Sequence, residues 1–503
     1  MTLHAATAFP GAQASLKLPE TLPGEGVLVG WSLERHHRRQ PIGFSFGVQK
    51  PTAPANVVDP ILLEGEGHLI TVAPTGAGKG VGCIVPALLR YPGSVIVIDP
   101  KGENAAITAR RRREMGHEVV VLDPMGLTGL EAARFNPLDL IDPESPTGVD
   151  DAHTLVNQLL RASGSSRDMF WESRARQLLV GVILYVLTDL PKVEHTLTRV
   201  RSLVNEAAGS PQAVMQTLAG SRHPEARATA DLMSIGATET LGGIVAFAQE
   251  GVDFIRGPLI AEATRDSTFS LDSVIRGDPL SIFIVLPPHM LISHGRLLRL
   301  WVGTLMTAIM RRRARPARST LFMLDEAAQL GPFDELRKAV TLLRGYGLQT
   351  WSFWQDVSQL QLLYPNDWRT MVNNCKVVQC FGANTMLAAS DMAAIVGAGS
   401  GGFVLDLEAD EMLLQIAGDE AVVAKLPNYR TDPAFQGMFD ENPYYDADRD
   451  PVGPPRTPLT EYIRPARPTP PVRFGSPVPE DVALSGRVLQ WLETGRDPGP
   501  DSR

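Results

Sequence analysis

Residues 69–80 read Leu-Ile-Thr-Val-Ala-Pro-Thr-Gly-Ala-Gly-Lys-Gly, an apolar run entering a glycine-rich turn that carries a lysine. Such a turn can hold phosphate. Gly76 and Gly78 can take backbone conformations that a Cβ hinders, so that N–H groups point inward at phosphate oxygens. Lys79 can reach β- and γ-phosphates, and the helix that follows offers its positive end to the same charge. The candidate loop comprises Pro74, Thr75, Gly76, Ala77, Gly78, Lys79 and Gly80. It departs from the general pattern twice. Ala73 stands where the pattern has Gly, and Gly80 where it has the Ser or Thr whose hydroxyl ligates Mg²⁺. A water or Thr75 is left to substitute.

A second half lies far downstream. Residues 320–326, Thr-Leu-Phe-Met-Leu-Asp-Glu, read as a buried strand with two adjacent carboxylates at its carboxyl end. Asp-Glu at a strand end is commonly only a helix cap or a solvated turn. Paired with the lysine loop in one chain, it has a chemical reading: Asp325 serves the Mg²⁺ hydration shell and Glu326 polarises an attacking water. ATP and Mg²⁺ are the ligands implied.

These residues need strands that end on one edge of a sheet. From His68 to about Pro137 apolar strands alternate with helices: strands His68–Ala73, Ser94–Asp99 and His117–Asp123, helices Val81–Arg90 and Asn104–Met115. That alternation implies an α/β fold, a parallel sheet covered on both faces. Between Gly148 and about Gly257 strand signals vanish and the helical period dominates, as in Asp151–Ala162 and Arg174–Leu187. Strands return at Leu280–Leu286, Thr320–Leu324, Gln349–Trp354, Lys376–Phe381 and Ala421–Lys425. The expected organisation is a lead-in at 1–57, a nucleotide-binding domain in two parts at 58–147 and 258–430, an all-helical insertion at 148–257, and a Pro/Asp-rich tail at 431–503. A linker is expected at Pro465–Pro479 and one docking helix at Val482–Thr494.

At 503 residues, 44% apolar and 20% charged, the chain is globular in the main. Its three cysteines show no metal-ligand spacing and fit a reducing cytosol. No secretory signal is visible, and the best apolar run, Leu178–Leu187, is too short to cross a bilayer. The run from Leu297 to Met310 is interrupted by Arg299. A net charge of −9 argues against a protein that coats nucleic acid. Basic residues cluster at 35–39, 110–113 and 311–318, each either a solvated helix face or a loop able to line a pore.

Several stretches together resemble the TraG-type coupling proteins of type IV secretion systems. They are Ala-Pro-Thr-Gly-Ala-Gly-Lys-Gly-Val-Gly at 73–82, Ile-Asp-Pro-Lys-Gly-Glu at 98–103 and Phe-Asn-Pro-Leu-Asp at 135–139. Phe170-Trp171, Leu-Asp-Glu-Ala at 324–327, Arg-Gly-Tyr-Gly-Leu at 344–348 and Gln355 follow in order. Gly80 is usual in that family, which removes the objection to the loop. The resemblance implies a RecA-like motor domain with an inserted all-α domain, assembling as a hexamer. It implies further that Arg344, eighteen positions after Glu326, supplies an arginine finger to the neighbouring subunit, and that Gln355 senses the γ-phosphate. A helix cap before Gly345 and a plain strand-end amide are the bland alternatives for these two. Lys101 and Glu103 could touch nucleotide, line a pore or simply pair. Phe170 and Trp171 are expected in the core of the helical part.

The implied function is an ATPase that delivers DNA, a relaxase–DNA complex or effector protein to a secretion machine at the bacterial inner membrane. Membrane-spanning helices that begin many relatives are not seen in this chain. It is therefore expected to be cytoplasmic, peripheral at the membrane through secretion subunits. Two rivals stay open: a DNA translocase of the FtsK–HerA kind unconnected to secretion, and a non-hydrolysing adaptor, which would have no need of Glu326.

Overall fold

The structure is a computed structural model that describes residues 17–22, 24–33, 57–160, 169–234 and 238–445. The basic cluster at 35–39, the linker at 465–479 and the helix expected at 482–494 lie outside the described residues. The framework is one sheet of eleven strands in the order β2-β1-β11-β10-β9-β3-β8-β7-β4-β6-β5. The strands are β1 Val27–Ser32, β2 Asp59–Leu63, β3 His68–Val72, β4 Val95–Ile98, β5 Glu118–Leu122 and β6 Leu280–Ile284. They continue with β7 Thr320–Leu324, β8 Leu348–Trp354, β9 Cys375–Cys380, β10 Glu411–Ile416 and β11 Val422–Lys425.

From β9 to β5 every pairing is parallel. Strands β3, β4, β6, β7 and β8 are buried at every position, as runs such as Val-Ile-Val-Ile and Leu-Gln-Thr-Trp-Ser-Phe-Trp require when helices cover both faces. From β9 to β2 the pairing is antiparallel. The sheet is thus mixed, with an antiparallel wing that the alternating pattern did not foretell.

The first helix after the loop begins with a π-helical turn, Gly80–Ile84, before α1 Val85–Arg90, where one continuous helix was expected. Pro86 has no N–H with which to continue the regular ladder, and the Val85 N–H bonds instead to the Gly80 carbonyl. Helix α2 is Glu103–Glu114. Between β5 and β6 the described residues hold only helices: α3 Gly148–Leu159, α4 Met169–Asp189, α5 Leu197–Gly209, α6 Pro211–Ala219, α7 Pro224–Ser234, α8 Thr238–Val252, α9 Pro258–Ala263 and α10 Leu271–Arg276. Helices therefore run past residue 257, because Pro258 sits at the first position of a new one, where its missing N–H costs nothing. Helices α11 Leu291–Met310, α12 Asp334–Leu342, α13 Val357–Leu363, α14 Trp368–Asn373, α15 Met386–Val396 and α16 Gly401–Leu405 follow.

One sheet face, with Ile70, Ile96, Ile282 and Phe322, packs against α11, α12 and the helical stretch. The other, with Leu69, Val97, Met323 and Phe353, packs against α1 and the start of α2. In α11 Trp301 is fully buried and donates to the Phe135 carbonyl at 3.0 Å, while Arg299 donates to the Leu330 carbonyl at 3.0 Å. Among the described residues no helix is long and apolar enough to cross a membrane.

Three expectations change. Residues 27–32, inside the presumed lead-in, form β1, whose Trp31 is fully buried and donates to Asp432 Oδ2 at 2.9 Å. Residues 431–445, assigned to the tail, fold back over α1 and α2. Phe435 and Tyr429 share a core with Leu89 and Ile107, Asp440 N donates to the Ile107 carbonyl at 3.0 Å, and Arg110 Nε to Asp440 Oδ1 at 2.6 Å. Phe170 is half exposed; only Trp171 beside it packs inward, against Gly243.

Candidate nucleotide site

Parallel strands all point their carboxyl ends to one edge, and loops leaving neighbouring strands there can share a ligand. Strand β8 lies between β3 and β7, so Gln355 emerges between the lysine loop and the Asp325–Glu326 pair. Ala73 N donates to the Trp354 carbonyl at 2.9 Å, which ties the exits of β3 and β8 together. Gly76 and Gly78 have φ of 82° and 95°, in the left-handed region where a side chain is strained, and open space lies where their Cβ atoms would stand. The loop is therefore shaped by backbone, with Thr75 exposed and Gly80 opening the helical turn.

Lys79 is buried, and its Nζ donates to the carbonyls of Ala73 at 2.8 Å and Pro74 at 3.2 Å. It lies 3.9 Å from Glu326 Oε1. The other carboxylate oxygen of Glu326 accepts from Gln355 Nε2 at 2.8 Å. Glu326 is the one non-glycine residue with positive φ, 57°, among the described residues. Such strain is found at functional sites when the surroundings hold it in place.

Asp325 is raised to about 6, first by burial and then by the charge of Glu326. On the adjacent strand Asp99 is buried and raised to about 7, again chiefly by burial. Its two oxygens accept from Ala105 N at 2.8 Å and Asn104 Nδ2 at 3.2 Å, which fixes the start of α2. Lys101 pairs with Glu103 at 3.6 Å. Four carboxylates, Asp99, Glu103, Asp325 and Glu326, thus face two ammonium groups, Lys79 and Lys101. That excess of negative charge fits a divalent cation. Among the described residues no three His, Cys, Asp or Glu side chains converge to cage one, so the fitting form is a cation that arrives on phosphate oxygens, as Mg²⁺ usually does.

Arg344 does not join these residues within one chain. It precedes β8 in a single 3₁₀ turn, Leu343–Tyr346, at the amino ends of the strands, and pairs with Glu66 Oε2 at 3.5 Å. The two basic clusters among the described residues, 110–113 and 311–318, are largely consumed by the fold. Arg110 pairs with Glu114 and Asp440, and Arg111 with Glu114. Arg311 pairs with Asp151, Arg315 with Glu66 and Arg318 with Glu25. Arg112 and Arg312 are buried; of these clusters only Arg113 and Arg313 stand exposed without a partner given above.

Gln359 was missed from sequence. Its Oε1 accepts from the backbone N–H of Gln355 at 3.0 Å, and its own N–H donates to Asp356 Oδ1, the N-cap of α13. The readable signal was Asp-x-x-Gln at 356–359, a capping-box spacing immediately after a strand.

An open, mainly parallel sheet with a glycine–lysine loop at one strand exit and an acidic pair two strands away defines a RecA-like P-loop nucleotide-binding fold. The model of the type IV secretory system conjugative DNA transfer family matches residues 39–397, and the chain belongs to that family. Among relatives, a conjugal transfer protein TraG of Escherichia coli is 29% identical over 358 residues, covering 66% of this chain and 55% of its own length. Protein VirD4 of Rhizobium radiobacter is 30% identical over 285 residues, covering 56% of this chain and 40% of its own. The chain spans about half the length of the curated relatives it matches. In fold it is similar to the conjugative coupling protein TrwBdeltaN70 in an unbound form, with TM-score 0.58, 17% identity, and 76% and 91% of the two chains covered. TrwB in complex with ADP and Mg²⁺ gives TM-score 0.55 at 16% identity over 77% and 88%.

Proposed function

We propose that the chain is an ATP-hydrolysing coupling protein that recruits DNA, a relaxase–DNA complex or effector proteins and delivers them to a type IV secretion machine. It works from the cytoplasmic side of the bacterial inner membrane, held there by secretion subunits, as a hexamer. The observation that carries this reading is the convergence of Lys79, Asp325, Glu326 and Gln355 at the exits of β3, β7 and β8. Family membership supplies the transport context.

In this reading Lys79 exchanges the carbonyls of Ala73 and Pro74 for phosphate oxygens, joined by the N–H groups of Pro74–Gly80 other than proline's. Asp325 would help to hold Mg²⁺, which when bound would neutralise phosphate charge. Glu326 accepts a proton as water attacks the γ-phosphorus. The bond from that phosphorus to the bridging oxygen breaks, and ADP carries the electron pair away. Gln355 donates to a γ-phosphate oxygen. Arg344 of one copy stabilises the charge spreading over the γ-phosphoryl group bound by the next.

The deciding experiment is ATP turnover with and without single- and double-stranded DNA over a protein concentration series, beside Glu326→Gln and Arg344→Ala. Turnover per chain that rises with concentration and with DNA, and is lost in both variants, is the expected result. Tight ATP binding with no turnover would favour the adaptor. DNA-stimulated turnover that stays unchanged when subunits of the secretion machine are added would favour a free translocase.

A further inference from the structure

In the arrangement seen here, the carboxylate that should accept the proton from water is committed to protein partners. Glu326 Oε2 takes the Gln355 amide at 2.8 Å, and Glu326 Oε1 faces Lys79 Nζ at 3.9 Å. Lys79 is turned to its own loop, donating to Ala73 and Pro74 carbonyls. The backbone beneath Glu326 is in the left-handed region, a conformation that persists for a non-glycine residue only where contacts maintain it. Gln355 is itself fixed from behind by Gln359, whose helix is anchored by Asp356.

We propose that Gln355 is a two-position latch on Glu326, resting on the ATPase reading above. Without a γ-phosphate its amide holds the Glu326 carboxylate. When ATP binds, its γ-phosphate gives the Lys79 ammonium a charged acceptor in place of two neutral carbonyls, and gives the Gln355 amide an anionic acceptor that competes with the Glu326 carboxylate. Both Glu326 oxygens then lose their donors and face the attacking water. ADP has no γ-phosphate, so after phosphate leaves the amide returns to Glu326 and the site relatches. Gln355 thus ties the freedom of the base to the presence of a cleavable bond. Gln359 acts as a positioning residue, holding the strand end from which the amide swings.

The latch makes ATP, but not ADP, break a bond on binding, and this can be read without turnover. Affinities of the full chain for a non-hydrolysable ATP analogue and for ADP, both with Mg²⁺, are measured in Glu326→Gln and Glu326→Ala. The first keeps an acceptor for Gln355 and the second removes it, while both remove the charge beside Lys79. Glu326→Ala is expected to bind the ATP analogue about fivefold more tightly than Glu326→Gln, the worth of one hydrogen bond, with ADP affinities alike. Repeating the pair in a Gln355→Met background should abolish the difference, which a general loosening of the site would not do. Equal analogue affinities in the two variants, or a difference that survives Gln355→Met, would overturn the latch alone. If the unmodified chain binds neither nucleotide, the ATPase reading falls and the latch with it.

Discussion

Arg344 and Lys79 lie at opposite ends of one strand pair. Lys79 follows the carboxyl end of β3, Arg344 precedes the amino end of β8, and the two strands run parallel in register from Leu69↔Trp351 to Val72↔Trp354. At about 3.3 Å per residue the strands hold the two side chains well beyond contact. An Arg344 that acts on a γ-phosphate must therefore act on that of another copy. Among the described residues its one ion pair, with Glu66, leaves Arg344 largely exposed and adds little stability. Arg344→Ala should leave the unfolding midpoint unchanged and lower turnover by roughly 10³-fold. Mixing Lys79→Ala with Arg344→Ala protein should restore part of the activity, because some interfaces then pair an intact loop with an intact arginine. No recovery on mixing would count against action between copies.

Asp325 should make the nucleotide-free protein less stable as pH rises. Its folded value, about 6, lies above the ordinary 3.8, so the folded chain binds a proton that the unfolded chain has lost. Stability therefore falls between about pH 4 and pH 6 and stays low above that. Asp99, raised to about 7, extends the fall by a further unit. Asp325→Asn removes burial of a charge and its repulsion by Glu326, at the expense of its Mg²⁺ role. Urea denaturation should show the variant more stable than the parent at pH 8, by on the order of 2 kcal/mol, and indistinguishable at pH 4. A variant destabilised at pH 8 would contradict this account.

What could be read in advance follows the range of the interactions. Strands β3, β4, β7 and β8 announce themselves because each is a local apolar run bounded by turns. Strand β1 does not, since proline and glycine crowd the residues before it and one of its two partners, β11, is nearly four hundred residues away. The same holds for residues 431–445, whose Pro, Asp and Asn look like linker until Trp31, Arg110 and Ile107 are brought beside them. At the site, Lys79, Asp325 and Glu326 were legible from residue type and order. The strained backbone of Glu326 and the Gln359 contact were not, because both depend on how β7 and β8 deliver their ends to one place.

Arg112 illustrates a basic residue whose meaning reverses with burial. It sits in a run of four arginines, yet it is fully buried and held mainly by neutral acceptors. Its guanidinium donates to Ser281 Oγ at 2.8 Å and to the carbonyls of Leu88 at 3.2 Å, Gly93 at 2.7 Å and Tyr91. Burial lowers it to about 9. The forked, planar donor set is what closes the carboxyl end of α1, and a lysine cannot reproduce it. Arg112→Lys should cost roughly 3 kcal/mol in chemical denaturation. Arg113→Ala next to it, at an exposed position, should change stability by less than about 0.5 kcal/mol.

The returning segment at 426–445 should be mechanically joined to the phosphate loop. Tyr429 N donates to the Val81 carbonyl at 3.4 Å, and the Pro427 carbonyl stands 3.1 Å from where a Cβ on Gly82 would be, so the segment presses on the turn that begins at the loop. Its anchor is Asp432, fully buried, whose Oδ2 accepts from both Trp31 Nε1 and Asn428 N at 2.9 Å. Asp432→Ala leaves the buried Trp31 N–H and the partly buried Asn428 N–H without this acceptor, a loss of about 1–3 kcal/mol at the first and less at the second, which water can reach. Because Trp31 belongs to β1 and Asn428 to the segment, that loss falls where sheet and segment meet. Hydrogen exchange should therefore quicken in residues 427–440, in β1 and in the turn Gly80–Ile84, while β4, β6 and β7 keep their protection. Nucleotide affinity should weaken in parallel, since the loop would have to be ordered on binding. If exchange rises only in 427–440 and affinity holds, the segment is a passive cover and the phosphate loop keeps its shape without it.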